Sequence, residues 1–263
     1  MMKFGLHFSV FQITQGPNDR KTEMLIDWEA LRAHTAWFPS KVLGKGVECY
    51  LEKDDKWMVF GNSHLTLMSE FLRTFGAGTA AIRGGGISHV HELLRLVKFF
   101  KGGIECIFLL ATGNDLANLN KPCSEIALEM HKMIRELKQD NPLAVVVTIS
   151  AIPRIPGDFY SVENSDKFLE RIGLLDRMMI QQDEMHHHLK HDYFVGERTD
   201  KGTLPLREFY IRDHVHLNFR GREALQELFK FAFDCVNFHD FDRYGTIWIN
   251  HYTGDKRFAK WAF

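Results

Sequence analysis

The stretch Trp57–Leu65, WMVFGNSHL, joins a short apolar run to a glycine and to a serine that opens a helix-like segment. The run WMVF ends at Gly61, and Ser63 follows two residues later. A run this short and apolar is typical of a strand buried on both faces of a parallel sheet. The next segment, His64–Phe75, spaces its apolar side chains as one face of a helix does. The stretch therefore predicts a strand, a turn that carries Ser63, and a helix.

Similar units repeat along the centre of the chain. Further apolar runs lie at Thr79–Ile82, Ile104–Ala111 and Leu143–Ile149, with a weaker candidate strand at Tyr193–Val195. Helical apolar patterns lie at Val90–Phe100, Ser124–Leu137, Asp166–Leu189 and Arg222–Phe238. Strands that alternate with helices predict right-handed crossovers and an α/β fold. We expect a doubly wound, mostly parallel five-stranded sheet with helices on both faces, a flavodoxin-like three-layer sandwich.

Two segments flank this alternation. Residues 1–55 contain an amphipathic stretch at Lys21–Phe38 and a candidate strand at Val47–Leu51, and residues 239–263 are rich in aromatic side chains. A disordered tail rarely carries so many aromatic residues. We therefore expect an N-terminal extension over 1–55 that packs on the domain, a central domain over 56–238, and an aromatic-rich C-terminal extension over 239–263.

The composition of the chain further limits the classes of protein to which it can belong. The 263 residues are 45% hydrophobic with a net charge of -1, which suits one large α/β domain and excludes a strongly basic footprint for nucleic acid at the whole-chain level. The first residues lack the apolar core of a signal peptide, and no run approaches the ~20 apolar residues of a membrane span. The four cysteines form no CxxC pair, which favours a reducing compartment. We expect an intracellular, cytoplasmic protein without a membrane span.

Four motifs follow predicted strands or precede the last predicted helix. They are Gly61–Leu65 (GNSHL), Gly84–Ser88 (GGGIS), Gly113–Asp115 (GND) and Asp213–Asn218 (DHVHLN). The carboxyl ends of parallel strands line the ligand crevice of an open sheet, so we expect these motifs to meet there.

The motifs carry groups suited to nucleophilic catalysis. Ser63 lies at the start of a predicted helix, where free N–H groups and the helix dipole favour a nucleophilic oxygen and a nearby oxyanion. Glycine N–H groups approach a ligand without a side chain in the way, and the amide of Asn114 is a further donor. Asp213 and His216 lie three residues apart, so on a turn the carboxylate can orient an imidazole that deprotonates a serine.

In this order the motifs resemble the blocks of the SGNH, or GDSL-like, hydrolase family. Ser63 matches the nucleophile of block I, Gly86 the glycine of block II, and Asn114 the asparagine of block III; Asp213 and His216 match block V. The resemblance implies an SGNH hydrolase-like domain over 56–238 and a serine esterase that cleaves an acyl or acetyl ester without a cofactor. It implies a catalytic triad of Ser63, His216 and Asp213. It also implies an oxyanion hole formed by the Ser63 amide, the Gly86 amide and the Asn114 side chain.

Two positions depart from the family pattern and leave a second function open. Asn62 stands where GDS-type members carry Asp, and Gly84 where many members carry Asn. The short, glycine-rich second block also resembles esterase domains of LINE-type retroelements. The alternative is an SGNH-like binding or scaffold module with weak or no activity, which holds RNA or protein partners through its flanks. Its sequence basis includes the C-terminal aromatics and their basic neighbours Lys256, Arg257 and Lys260, although packing also explains them.

Several motif residues also fit ordinary structural roles. Ser63 suits a helix N-cap, Gly84–Gly86 suits a simple turn, and His214 competes with His216 as the candidate base.

A histidine-rich stretch raises the separate question of a metal site; it contains His186, His187, His188 and His191. Consecutive histidines on a helix diverge by ~100° each, so they do not converge on one ion, and we expect no metal.

Overall fold

The predicted strands form the centre of the sheet. The computed structural model describes residues 47–50, 55–98, 104–156, 161–181, 186–191, 194–199, 202–205, 207–237, 246–249 and 256–258. The first strands are β1 (Val47–Tyr50), β2 (Trp57–Asn62), β3 (Ala77–Ile82), β4 (Cys106–Leu110) and β5 (Val145–Ile149). Every side chain of β3 and β4 is buried, as expected for strands covered on both faces. The predicted amphipathic stretch Lys21–Phe38 lies outside the described residues.

The remaining strands extend this sheet beyond β5 or form a separate hairpin. They are β6 (His187–His191), β7 (Val195–Thr199), β8 (Gly202–Pro205), β9 (Thr246–Ile249) and β10 (Lys256–Phe258). One eight-stranded sheet has the order β1-β3-β2-β4-β5-β6-β9-β10, and β7 pairs with β8 in a separate hairpin. Neighbours from β3 to β9 run parallel, whereas β1 and β10 pair antiparallel at the two edges. The predicted five-stranded parallel sheet is confirmed as the core β3-β2-β4-β5-β6.

The fifth strand of that core does not lie where the sequence placed it. Of the predicted strand Tyr193–Val195, Tyr193 lies outside the described residues and Val195 begins the separate hairpin, so the fifth strand of the core is instead β6 at His187–His191. The predicted helix Asp166–Leu189 correspondingly ends at Gln181. The strand HHLKH holds three histidines and a lysine instead of the β-branched residues that usually mark a buried strand. His188, Leu189 and His191 are nevertheless buried.

Helices cover both faces of the sheet. They are α1 (Ser69–Arg73), α2 (Ile87–Lys98), α3 (Gly113–Ala117), α4 (Cys123–Asp140), α5 (Val162–Gln181) and α6 (Phe219–Asn237). Met58 and Phe60 of β2 share one hydrophobic cluster with α2, α4 and α5, and Val59 between them shares another with α1 and α6. Alternate residues of a strand point to opposite faces, so the two clusters define the three-layer sandwich that the sequence predicts.

A single helix over His64–Phe75 is not observed. Ser63–Leu65 forms one 3-10 turn, Thr66 is extended, and Leu67 has a φ of 68° before α1 begins at Ser69. The Thr66 hydroxyl donates to the Ser63 carbonyl at 2.6 Å, a local bond that closes the turn and competes with helix continuation.

The two flanks contribute strands to the sheet edges. β1 lies in the predicted N-terminal extension, and β9 and β10 lie in the predicted C-terminal extension. The boundaries at residues 55 and 238 stay a prediction. The candidate nucleic-acid surface also stays a prediction, since Lys260 and most of the C-terminal aromatic residues fall outside the described residues. No helix within the described ranges is long and apolar enough to cross a membrane.

Candidate active site

Ser63 lies at the carboxyl end of β2, held there by the two residues before it. A Cβ on Gly61 would approach the carbonyl oxygen of Leu110 to 2.4 Å, so glycine permits close contact with β4. The Asn62 side chain accepts a hydrogen bond from the His64 amide at 3.1 Å and caps the turn. Asn62, the departure from the family pattern, therefore still supports the turn that carries Ser63.

Ser63, His216 and Asp213 form one hydrogen-bonded chain. The Ser63 Oγ lies 3.0 Å from His216 Nε2, and His216 Nδ1 lies 2.6 Å from Asp213 Oδ2. Asp213 Oδ1 accepts from the amides of Val215 and His216 at 2.9 and 2.8 Å. Burial alone would raise the pKa of Asp213, but these hydrogen bonds and the imidazole lower it overall. An ionised Asp213 keeps a proton on Nδ1 of His216, which leaves Nε2 as the acceptor facing Ser63.

The other candidate base, His214, does not contact Ser63 but shapes the turn between Asp213 and His216. Its φ is 60°, in the left-handed region that histidine visits more readily than most residues. Its amide donates to the Ile211 carbonyl at 2.9 Å, and its carbonyl accepts from the Ile155 amide at 3.1 Å. The turn thereby presents the His216 ring, and not the His214 ring, to the serine.

Gly86 directly precedes α2 and Asn114 lies in the first turn of α3, and Asp115 ties these two segments together. A Cβ on Gly86 would lie 2.4 Å from Asp115 Oδ2, the same oxygen that accepts from the Ile87 amide at 2.8 Å. Lys121 binds the other oxygen of Asp115 at 2.7 Å. This role of Asp115 was not predicted from the sequence. The available signal was its position directly after Asn114 at the end of a buried strand.

Arg154 fixes the orientation of the Asn114 amide. Its Nη2 donates to Asn114 Oδ1 at 2.8 Å, and Asn114 Nδ2 donates to the Gly85 carbonyl at 2.7 Å. A guanidinium has no acceptor, so the amide oxygen must face Arg154 and the NH₂ group must face the glycine loop. Arg154 was not predicted from the sequence either. Its signal was an arginine just beyond the carboxyl end of β5, the edge at which the motifs gather.

A pocket of about 490 Å³ opens beside Ser63 and His216, whereas Gly86 and Asn114 do not line it. The start of α3, which carries Asn114, still lies near the serine, since a Cβ on Gly113 would come 3.2 Å from Asn62 Nδ2. The structure thus brings three of the predicted site residues into direct contact and places the other two in adjoining segments.

His64 lines the same pocket and is electrically neutral. Burial, followed by the charges of His216 and Arg154, lowers the pKa of His64 to about 3. Its ring centroid lies 5.9 Å from that of His216. His64 therefore contributes a neutral ring beside His216, the candidate base, and adds no positive charge to the pocket.

The histidine-rich stretch lies in β6, so the helical geometry assumed for it was wrong. His188 contacts Thr148 Oγ1 through Nδ1 at 2.8 Å and Asp176 through Nε2 at 3.0 Å. His191 Nε2 donates to the Ser150 carbonyl at 3.0 Å. These two rings are engaged in a buried hydrogen-bond network. Among the residues described, no group of three His, Cys, Asp or Glu side chains is arranged to hold a metal ion.

Comparison with known proteins identifies the fold. No family model and no curated protein matches the sequence. A GDSL-like lipase from Bacteroides thetaiotaomicron shares 16% identity over 70% of this chain and 90% of its own, with a TM-score of 0.53. A Bacteroides fragilis protein assigned as an acylhydrolase shares 16% identity over 80% of this chain and 98% of its own, with a TM-score of 0.54. Together with the sheet order and the helices on both faces, these likenesses show that the chain has the fold of the SGNH, or GDSL-like, hydrolases.

Proposed function

We propose that this protein is a serine esterase that hydrolyses an acyl ester through an acyl-enzyme. The observation that carries the proposal is the chain from Asp213 through His216 to Ser63, with contacts of 2.6 and 3.0 Å, beside an open pocket. A nucleophile within reach of a base, and a base oriented by a third group, is the arrangement that serine catalysis requires. The GDSL-like fold supports the same reaction class.

The chemistry divides into two halves. Ser63 Oγ attacks the ester carbonyl carbon while His216 Nε2 takes the hydroxyl proton, and the resulting imidazolium faces ionised Asp213. As the tetrahedral intermediate collapses, His216 gives that proton to the departing alcohol oxygen and an acyl-Ser63 ester remains. A water molecule then attacks the acyl carbon, again losing its proton to His216. The carboxylic acid leaves as Ser63 Oγ recovers the proton.

The oxyanion of each intermediate needs hydrogen-bond donors near Ser63. We assign them to the Ser63 amide, the Gly86 amide and the Asn114 side chain. Within the described ranges, the Gly86 amide makes a single long contact of 3.4 Å, with His89 Nδ1, and Asn114 Nδ2 has a second hydrogen beyond the one bound to Gly85. Loss of one such donor typically costs about 100- to 1000-fold in rate.

The test compares Ser63→Ala with the wild-type protein. We expect wild type to hydrolyse 4-nitrophenyl acetate and to react covalently with a fluorophosphonate at Ser63, located by mass spectrometry of the labelled peptide. Ser63→Ala should lose both properties. Ser124→Ala, which changes an exposed serine of α4, should keep both. If neither wild type nor Ser63→Ala hydrolyses 4-nitrophenyl acetate, and no label is found on Ser63, the proposal is refuted.

A further inference from the structure

The pocket beside Ser63 has an uneven charge distribution. Arg83, which follows β3, and Arg222, in the first turns of α6, both line it. No aspartate or glutamate lies among the described residues that form its wall. His64 is neutral, and ionised Asp213 is paired with His216 Nδ1 and is not part of the wall, so the charges on the wall itself are the two guanidinium groups. Low-dielectric walls around charges of one sign focus their field and favour a ligand of opposite sign.

Arg222 is the better placed of the two to receive a ligand. Across the described part of the chain, its guanidinium forms no hydrogen bond or ion pair. Arg220, two residues earlier on α6, instead lies 3.9 Å from Glu208 with 71% of its side chain exposed, and it does not line the pocket. Helix α6 therefore carries one arginine that lines the pocket, Arg222, and one that lies outside it, Arg220.

Three of the other wall residues are large and apolar. Leu67 and Ile211 line it and remain 68% and 44% exposed, while Leu217 closes its inner side. Large apolar side chains left this accessible at a pocket commonly mark a ligand surface. Leu67 also holds its left-handed backbone conformation here, and such conformations cluster at functional sites. A ligand that fits both features has an apolar body and a compact negative group.

We propose that this pocket selects esters that carry a carboxylate or a phosphate on an apolar body, with Arg222 and Arg83 as the residues that bind the anion. Guanidinium groups pair with both anions through two parallel hydrogen bonds, and this geometry distinguishes them from neutral isosteres. The inference rests on the proposed esterase function for turnover, but the binding of the anion depends on the pocket alone.

The kinetic test uses matched esters. 3-Acetoxybenzoate and 3-acetoxyphenyl phosphate place the two anions on the alcohol side, with 3-acetoxybenzamide as the neutral isostere. Monophenyl adipate and its methyl ester place the charge on the acyl side. We expect wild type to prefer at least one anionic ester over its neutral partner by about tenfold or more in kcat/KM. Arg222→Gln should reduce that preference by about tenfold, Arg222→Lys should reduce it less, and Arg220→Gln should preserve it.

A binding test separates this inference from the proposed function. Ser63→Ala does not turn the ester over, so NMR titration with 3-acetoxybenzoate, 3-acetoxyphenyl phosphate and monophenyl adipate measures recognition alone. Tighter binding of one of these anions than of its neutral partner, weakened by adding Arg222→Gln, supports the anion site whether or not the wild-type protein is an esterase. Hydrolysis of esters by wild type without any anion preference, together with equal binding of charged and neutral ligands, would overturn the anion site and leave the esterase proposal intact.

Discussion

The reactivity proposed for Ser63 depends on how two neighbouring side chains are held. Asp213 fixes the tautomer of His216 through the 2.6 Å contact to Nδ1, and Arg154 fixes the Asn114 amide through the 2.8 Å contact to Oδ1. In both cases a charged group fixes the orientation of its neighbour: Nε2 of His216 faces Ser63, and Nδ2 of Asn114 faces the Gly85 carbonyl. Neither charged group needs to touch the substrate to affect the rate.

We expect Asp213→Asn to lower kcat/KM for 4-nitrophenyl acetate by about 1000-fold or more. The asparagine can offer its NH₂ group to Nδ1, which would place the imidazole proton on Nε2 and remove the acceptor facing Ser63. Stopped-flow or steady-state assays measure the change. Circular dichroism provides the folding control, and a folded Asp213→Asn with near wild-type activity would contradict the role assigned to Asp213.

Arg154→Met should lower kcat by about 10- to 100-fold with little change in KM, because the Asn114 amide loses its fixed orientation. Methionine keeps an unbranched chain near Phe168, whose ring centroid lies 5.3 Å from the guanidinium carbon. Arg154→Lys should recover part of kcat. Arg177→Met, at an exposed position of α5, is the control. A loss confined to thermal stability would assign Arg154 a structural role only.

At the scale of elements, the edge that carries the candidate site is built from segments that bind one another through hydrogen bonds. Asp115, at the start of α3, holds the start of α2 through the Ile87 amide, and Lys121 connects Asp115 with Glu129 of α4. Burial alone would lower the pKa of Lys121, but its two carboxylate partners raise it overall, so the bridge stays charged at neutral pH. Gly86 fits between these parts because it lacks a Cβ.

Gly86→Ala tests this packing. The added methyl would lie 2.4 Å from Asp115 Oδ2, so the loop must shift and carry the Gly86 amide away from the oxyanion. We expect a loss of about 10-fold or more in kcat and a lower free energy of unfolding, by about 1–3 kcal/mol. Gly173→Ala is the matched control, since its Cβ would meet only the end of Arg177 at 3.9 Å. Unchanged kcat in Gly86→Ala would refute the role assigned to the loop.

The strands and helices also differ in how well the sequence could predict them. Strands β2 to β5 follow from aliphatic runs, and the long helices from apolar periodicity, because these patterns directly report burial. β6 was missed since buried histidines, satisfied by partners such as Asp176 on α5, replace its aliphatic residues. The order of motifs grouped Ser63, Asp213 and His216 as candidates, and the structure brings their side chains into contact. Arg154 was not, because its partner Asn114 lies 40 residues away in sequence and only the fold joins them.

At the scale of the whole molecule, several ionisable histidines are buried in the sandwich. Burial lowers the pKa of His64 and His186 to about 3 and that of His191 to about 4. The unfolded chain binds protons at these rings below about pH 6.5, whereas the folded chain does not until pH 3–4. The free energy of unfolding therefore rises with pH through this window and falls as the solution is acidified.

We expect the urea midpoint to fall between pH 7 and pH 5, with each such histidine contributing up to about 1.4 kcal/mol per pH unit below 6.5. His186→Leu should flatten this dependence, because leucine suits a buried site and binds no proton. Parallel urea titrations of wild type and His186→Leu at both pH values provide the measurement. Identical slopes for the two proteins would show that His186 does not couple folding to protonation.

The contact between Ser63 and His216 spans 153 residues of sequence. During synthesis, a chain that has emerged only as far as β5 already holds the serine but has neither the base nor its carboxylate partner. Loop closure on this length is among the slower events of folding. Any reactivity of Ser63 would therefore switch on late, after α6 docks, and covalent labelling of the nascent chain would report completion of the domain rather than the presence of its nucleophile.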